Sequence, residues 1–198
     1  MKIHFKIFAV ALLAGLVAAP ACAVEGEEAF ADQHSGPGPY LALNMGKSAI
    51  TSGCNAGFAN CTARNQTVYF GTFGYDYTPS LALEANWGKI GFISATPNIN
   101  MMGVSVQGVG TVHLGDFLGV YVKAGVAYGD FRTDGPIPAP YSLNPSGYSP
   151  SGGVGLRLNF TPHLAMRIQG DYWGSYNVLA NAKKMNIVTS TIGLMWRY

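Results

Sequence analysis

The chain has 198 residues, with 12 Lys and Arg against 10 Asp and Glu, 26 Gly, and charged side chains at only 11% of positions. A soluble domain ordinarily carries about 25% charge, while a helical membrane protein needs an unbroken apolar stretch of about 18 residues or more, which residues 24–198 lack. Lys2 and Lys6 account for the positive excess, so the basic balance offers no argument for nucleic-acid binding.

Residues 1–23 read as a cleaved secretory signal peptide. Lys2 and Lys6 make a basic start, Ile7 to Ala19 form an apolar run broken only by Gly15, and Pro20-Ala21-Cys22-Ala23 puts small residues at the −3 and −1 positions of a cut after Ala23. A lipoprotein anchor at Cys22 is the competing reading; Pro20, and the lack of a Leu three residues before Cys22, oppose it. Residues 24–38, with Glu25, Glu27 and Glu28, then form a polar periplasmic lead-in, and 39–198 form one domain.

Period-two alternation marks eight segments in that domain. Tyr40–Gly46 sets Leu41, Leu43 and Met45 against Tyr40, Ala42 and Asn44; Thr67–Tyr77 sets Tyr69, Phe73, Tyr75 and Tyr77 against Thr72, Gly74 and Asp76. Ser80–Ile90 places Leu81, Leu83 and Trp87 opposite Glu84 and Asn86, and Met102–Leu114 places Val104, Val106 and Val112 opposite Ser105, Gln107, Thr111 and His113. In Phe117–Gly129, Val120, Val122 and Val126 oppose Tyr121, Lys123 and Gly125. Gly152–Phe160 sets Val154 and Leu156 against Arg157 and Asn159, His163–Trp173 sets Leu164, Met166 and Ile168 against Arg167, Gln169 and Asp171, and Ile187–Tyr198 sets Val188, Ile192 and Leu194 against Thr189, Thr191 and Arg197. Tight turns at Thr78-Pro79, Gly115-Asp116 and Thr161-Pro162 alternate with long connections at 47–66, 91–101, 130–151 and 174–186. Short turns on one side and long loops on the other are the outer-membrane pattern, with turns toward the periplasm. The expected fold is therefore all-β, an eight-stranded antiparallel up-and-down transmembrane barrel; a soluble barrel or sandwich shares the alternation but not the export signal or the asymmetry of its connections.

Cys54 and Cys61 lie in the first long connection. In an exported chain an even pair at short spacing reads as a disulfide; a metal site would call for further His or Cys nearby, and Arg64 and Asn65 follow instead.

The chain closes on Thr191-Ile192-Gly193-Leu194-Met195-Trp196-Arg197-Tyr198. This matches the polar–x–Gly–x–x–aromatic–x–aromatic ending by which the outer-membrane assembly machinery recognises its substrates, with Gly193, Trp196 and Tyr198 as the signal residues. Gly74-Tyr75 followed by Pro79 and Glu84, Tyr148-Ser149-Pro150 with Gly152-Gly153, and Thr161 to Ile168 extend the likeness. Over most of residues 24–198 the chain resembles the transmembrane domain of the OmpA family. The resemblance implies an outer-membrane barrel of a Gram-negative bacterium with an interior ion-pair cluster that includes Glu84 and Arg167. It does not extend to a carboxy-terminal peptidoglycan-binding domain, because Tyr198 ends both the last strand and the sequence.

An internal echo bears on the same cluster. Tyr77-Thr78-Pro79-Ser80-Leu81-Ala82-Leu83-Glu84 resembles Phe160-Thr161-Pro162-His163-Leu164-Ala165-Met166-Arg167, which puts Glu84 and Arg167 at one depth after their turn prolines. Lys123 and Arg157 fall at similar heights on the polar face. A Lys or Arg turned to lipid at mid-depth costs roughly 2–4 kcal/mol, so all four are expected inside. They form either a network around Glu84 or four separately solvated lumen residues.

An eight-stranded barrel is just wide enough for its own side chains, which disfavours a general diffusion pore and leaves a narrow ion path as the alternative. Acyl chemistry on lipopolysaccharide would need a nucleophile, a base and an orienting group together. His34 is in the lead-in, while His113 and His163 flank periplasmic turns without a Ser and acid partner. No catalytic set, cofactor or metal site is expected. The expected role is structural or surface-interacting. The partners are outer-membrane lipid and lipopolysaccharide, the barrel-assembly machinery during biogenesis, and an extracellular ligand met by surface loops such as the Pro- and Tyr-rich third loop; nucleic acid is excluded.

Overall fold

Strands alternate side chains between two faces, so a chain with apolar residues at every second position can coat a barrel with them and turn its polar residues inward. In a computed structural model, which describes residues 37–50, 64–93, 99–133, 135, 142–144, 146–176, 179–180 and 185–198, eight strands do this. They are β1 (Gly38–Ile50), β2 (Arg64–Thr78), β3 (Leu81–Ile93), β4 (Ile99–Leu114), β5 (Leu118–Thr133), β6 (Ser146–Asn159), β7 (Leu164–Tyr176) and β8 (Met185–Arg197). Each pairs antiparallel with its chain neighbours, and β1 pairs with β8 from Tyr40↔Arg197 to Ile50↔Ile187 to close the barrel. Closure leaves no strand edge, the condition for placing β-structure in hydrocarbon. The loops after β5 and β7 touch in a two-residue ladder, Ser142↔Ala180 and Leu143↔Leu179. The signal peptide, most of the lead-in with His34, the Cys54 and Cys61 pair, and Pro136 to Tyr141 lie outside the described residues.

The echoed turns share one device. The Thr78 hydroxyl accepts from the Leu81 N–H at 3.0 Å, and the Thr161 hydroxyl accepts from the Leu164 N–H at 2.9 Å. A threonine bonding its own turn backbone fixes where each following strand begins. The third turn has Gly115 at φ 77, a left-handed position suited to glycine.

The strands extend further toward the loop end than alternation suggested, and the expected loops 47–66, 91–101, 130–151 and 174–186 shrink accordingly. β4 begins at Ile99 rather than Met102, β6 at Ser146 rather than Gly152, and β7 runs to Tyr176. The reason is an inversion of polarity. In the lower wall Leu43, Val122, Val154 and Leu194 face outward and are exposed. Near the loop end the outward positions turn polar, as at Lys47, Asn100 and Arg132, while Ile50, Ile90, Ile99, Met101, Phe131, Met185 and Ile187 are buried inside. The ladder continues there, but the apolar-outside rule does not. Gly174, at φ 77, sits in an irregularity of the β7–β8 ladder; it shifts the alternation so that Trp173 and Tyr176 both point inward. Trp173 packs edge-on against Phe70 at 5.7 Å, and Tyr176 against Phe131 at 5.2 Å. The lumen is thus polar below and apolar above.

Candidate functional site in the lumen

The polar half of the lumen is organised around Glu84. Arg167 Nη1 lies 2.7 Å from Glu84 Oε1, and Tyr40 OH donates to the same oxygen at 2.8 Å. Lys123 Nζ stands 3.9 Å from Glu84 Oε2 and 2.7 Å from Asp171 Oδ1. Arg167 Nε donates to Tyr121 OH at 3.2 Å, its guanidinium lies 4.9 Å above the Tyr121 ring centre, and Tyr121 OH donates to Gln169 Oε1 at 2.7 Å. Gln169 in turn donates to Asp171 Oδ2 at 3.0 Å. Two carboxylates and two cations, all nearly inaccessible, neutralise one another and are held by phenol and amide groups, the condition under which buried charge is tolerated.

Inward glycines explain how side chains on alternate strands meet. Tyr40 on β1 faces Gly74 on β2, which faces Glu84 on β3, and the tyrosine ring fills the space a Gly74 side chain would take. Lys123 on β5 reaches Asp171 on β7 across Gly153, and Tyr121 reaches Gln169 across Gly155. On the loop side of the ion cluster, Gln107 on β4 reaches Ser151 on β6 across Gly125, with a hydrogen bond of 3.1 Å. That bond ends a polar chain through Asn44, Thr72 and Asn86. In each case a missing Cβ opens a window through which a long side chain crosses the intervening strand.

Of the expected cluster, Glu84, Lys123 and Arg167 meet and Arg157 does not. Arg157 crosses Gly119 toward β4, where its Nη2 lies 2.7 Å from His113 Nε2. It stands directly opposite Arg167 in the β6–β7 ladder, and like charge turns it toward the turn end. Asp171 takes the place foreseen for Arg157 as a fourth member. Its inward parity was readable in the sequence, but its pairing depends on the Gly153 window. Asp76 and Arg197, 3.4 Å apart, form a second ion pair near the turns. The inward parity of Tyr40, Tyr121 and Gln169 was likewise readable, but not their part in the network; inward glycines flanked by long polar residues were the available signal. Among the described residues, no group of three or more His, Cys, Asp or Glu is placed to hold a metal ion.

At the end of the chain, Trp196 and Tyr198 point outward, and His163 stacks on Trp196 at 6.2 Å while its Nδ1 lies 3.2 Å from the Arg197 carbonyl. Gly193 sits between Asn44 and Arg167 in the closing ladders, where any Cβ would run into the Asn44 side chain and the Leu43 carbonyl.

A closed eight-stranded wall, apolar outside and ion-paired within, defines a transmembrane barrel. The sequence matches the outer membrane protein beta-barrel domain over residues 9–198, and the chain belongs to that family. Among solved structures it is similar to Neisserial surface protein A, with 10% identity and a TM-score of 0.63, covering 83% of this chain and 100% of that one. It is similar to OprG from Pseudomonas aeruginosa at 14% identity and TM-score 0.58, covering 84% and 98%. The attachment invasion locus protein Ail of Yersinia pestis follows at 13% and 0.53, covering 81% and 99%. At these identities the likeness is one of fold. A comparison with curated proteins finds no match. The protein is an integral barrel of the Gram-negative outer membrane, a class whose short turns face the periplasm.

Proposed function

We propose that this protein is a non-conducting, non-enzymatic barrel whose role is structural and whose loops meet partners at the cell surface. The observation that carries this reading is the ion network of Glu84, Arg167, Lys123 and Asp171, which spans the lumen from β3 to β7. A hydrated ion entering from the periplasm meets paired charges first and then an interior lined by Phe70, Met101, Phe131 and Trp173. Catalysis on lipid is disfavoured at His163, whose ring stacks on Trp196 and whose Nδ1 lies against the Arg197 carbonyl. Lipopolysaccharide around the upper wall and the assembly machinery during insertion are the partners this architecture calls for.

Planar-bilayer recording tests the reading. Wild type should show no steady conductance, while Glu84→Ala should open current that favours anions, because the cations around it lose a partner. A steady wild-type current would establish the narrow-channel alternative instead. A changed lipid-A acyl profile in a deletion strain, restored by the gene, would show that the barrel is an enzyme.

A further inference from the structure

We propose that the outer face of β1–β3 carries a site for a phosphate of a lipopolysaccharide headgroup, with Lys47 and Lys89 as its cations. The site rests on the reading above only in taking lipopolysaccharide to surround the upper wall. Charge on the outer face is unevenly placed. Among the described residues, the outward charges of the strands are Lys47, Lys89, Asp130 and Arg132, all toward the loop end. Arg132 donates to Asp130 Oδ2 through Nη2 at 2.8 Å and Nε at 3.0 Å, which makes that pair neutral. The net charge of this face is therefore that of the two lysines. The loop ends of β6 and β8 present Ser146, Tyr148, Asn186 and Ser190 instead, and the turn end is edged by Leu114, Phe117, Phe160 and Trp196.

The ladders bring the two lysines to one place. Lys47 is paired with Thr67 and Lys89 with Tyr69, so they flank two successive outward residues of β2 from either side. Two strand spacings across and two residues along put their Cα atoms roughly 12 Å apart. Strand tilt also brings them to one depth. The row from Met45 through Tyr69 to Lys89 climbs, since it continues by Met102 and Asp130 to Ser146 at the loop end of β6. Lys47 gains a similar height by standing two residues above Met45 on β1. Its Nζ donates to Thr67 Oγ1 at 3.1 Å, which draws the ammonium over β2 toward Lys89. The accepting hydroxyl keeps its own hydrogen to offer a ligand. Exposed Tyr69 and Trp87 on the same stretch of wall mark the depth at which lipid headgroups begin. Phosphates are the anionic groups of a lipopolysaccharide headgroup, and lysine binds phosphate as a point charge while its stem covers apolar wall.

The test titrates the folded barrel in detergent micelles with diphosphoryl lipid A, and separately with the same lipid stripped of phosphate. A chelator keeps divalent cations off the phosphates, and bound lipid is counted by native mass spectrometry. Wild type should hold the phosphorylated lipid about thirtyfold more tightly than the stripped one. Lys47→Ala and Lys89→Ala should each weaken the phosphorylated lipid about fivefold, and both together about thirtyfold. Removing the neutral pair, by Asp130→Ala with Arg132→Ala, should leave binding unchanged. Equal binding of the two lipids, or an equal loss in the Asp130 and Arg132 control, would show that the lysines reach a charged interface without forming a site. Should a lysine variant not fold, the wild-type comparison of the two lipids decides. None of these readouts measures current or an acyl profile, so a failure here is distinct from a failure of the non-conducting reading.

Discussion

At the scale of single residues, the lumen shows how buried charge is made tolerable. Glu84 faces Arg167 at 2.7 Å and Lys123 at 3.9 Å, so removing it leaves two cations without their shared partner. Breaking a buried pair from one side typically costs about 3–5 kcal/mol. Glu84→Ala should lose stability on that order in urea unfolding, and Glu84→Ala with Arg167→Ala should recover part of it. Additive losses in the double-mutant cycle would show that the two residues do not interact. The glycine windows make an independent prediction. A Cβ on Gly153 would stand 2.5 Å from both Asp171 Oδ1 and the Gly170 carbonyl, and 3.1 Å from Lys123 Cε. Gly153→Ala should therefore destabilise by about 1–3 kcal/mol through overpacking. Gly108→Ala is the control, since its new methyl meets nothing nearer than the Ala124 carbonyl at 3.9 Å. Equal effects of the two substitutions would contradict the window account.

At the scale of elements, the closing strand and the first long loop carry the expectations. Trp196 of β8 and Tyr198 just after it point outward at the turn-end rim, where the aromatic girdle of a membrane barrel lies. Tyr198→Asp should slow insertion and leave periplasmic intermediates, seen by fractionation after a pulse of synthesis. Normal insertion kinetics would remove the assembly role assigned to Gly193, Trp196 and Tyr198. In the connection between β1 and β2, Cys54 and Cys61 are expected to be joined in protein taken from intact cells. A bridge over so short a loop should add about 2–3 kcal/mol by the chain-entropy estimate, and the barrel strands should form without it. Thiol labelling of both cysteines before reduction would end that expectation.

At the scale of the whole molecule, two solvents meet one wall. The lower wall faces lipid with apolar side chains and encloses ion pairs; toward the loop end the wall is more polar outside and encloses Ile90, Ile99, Met101, Phe131 and Ile187. The lower half follows the bilayer's demand, and the upper half packs like an ordinary soluble core. Export places the chain where this arrangement makes sense. The mature protein should begin at Val24 and fractionate with outer membranes; retention of Met1, or a lipid on Cys22, would contradict the signal reading.

What was legible in the amino-acid sequence was whatever depends on period and parity. Alternation alone assigned Glu84, Lys123 and Arg167 to the lumen, and the repeated Thr-Pro turn set Glu84 and Arg167 at one depth, because equal turns start equal strands. Parity says which face a side chain takes, but not which inward residues touch. That depends on how strand stagger aligns them after closure, and on where a glycine lets one side chain pass over its neighbour. Hence Asp171 joins Lys123 through the Gly153 window, while Arg157, faced by Arg167, turns away across Gly119 to His113. The same limit hid the upper core. Its strands keep the period of two but exchange the faces, and only the closed wall shows which side of Ile99, Phe131 or Met185 is inside, since burial there is decided by the ring of strands and not by any one of them.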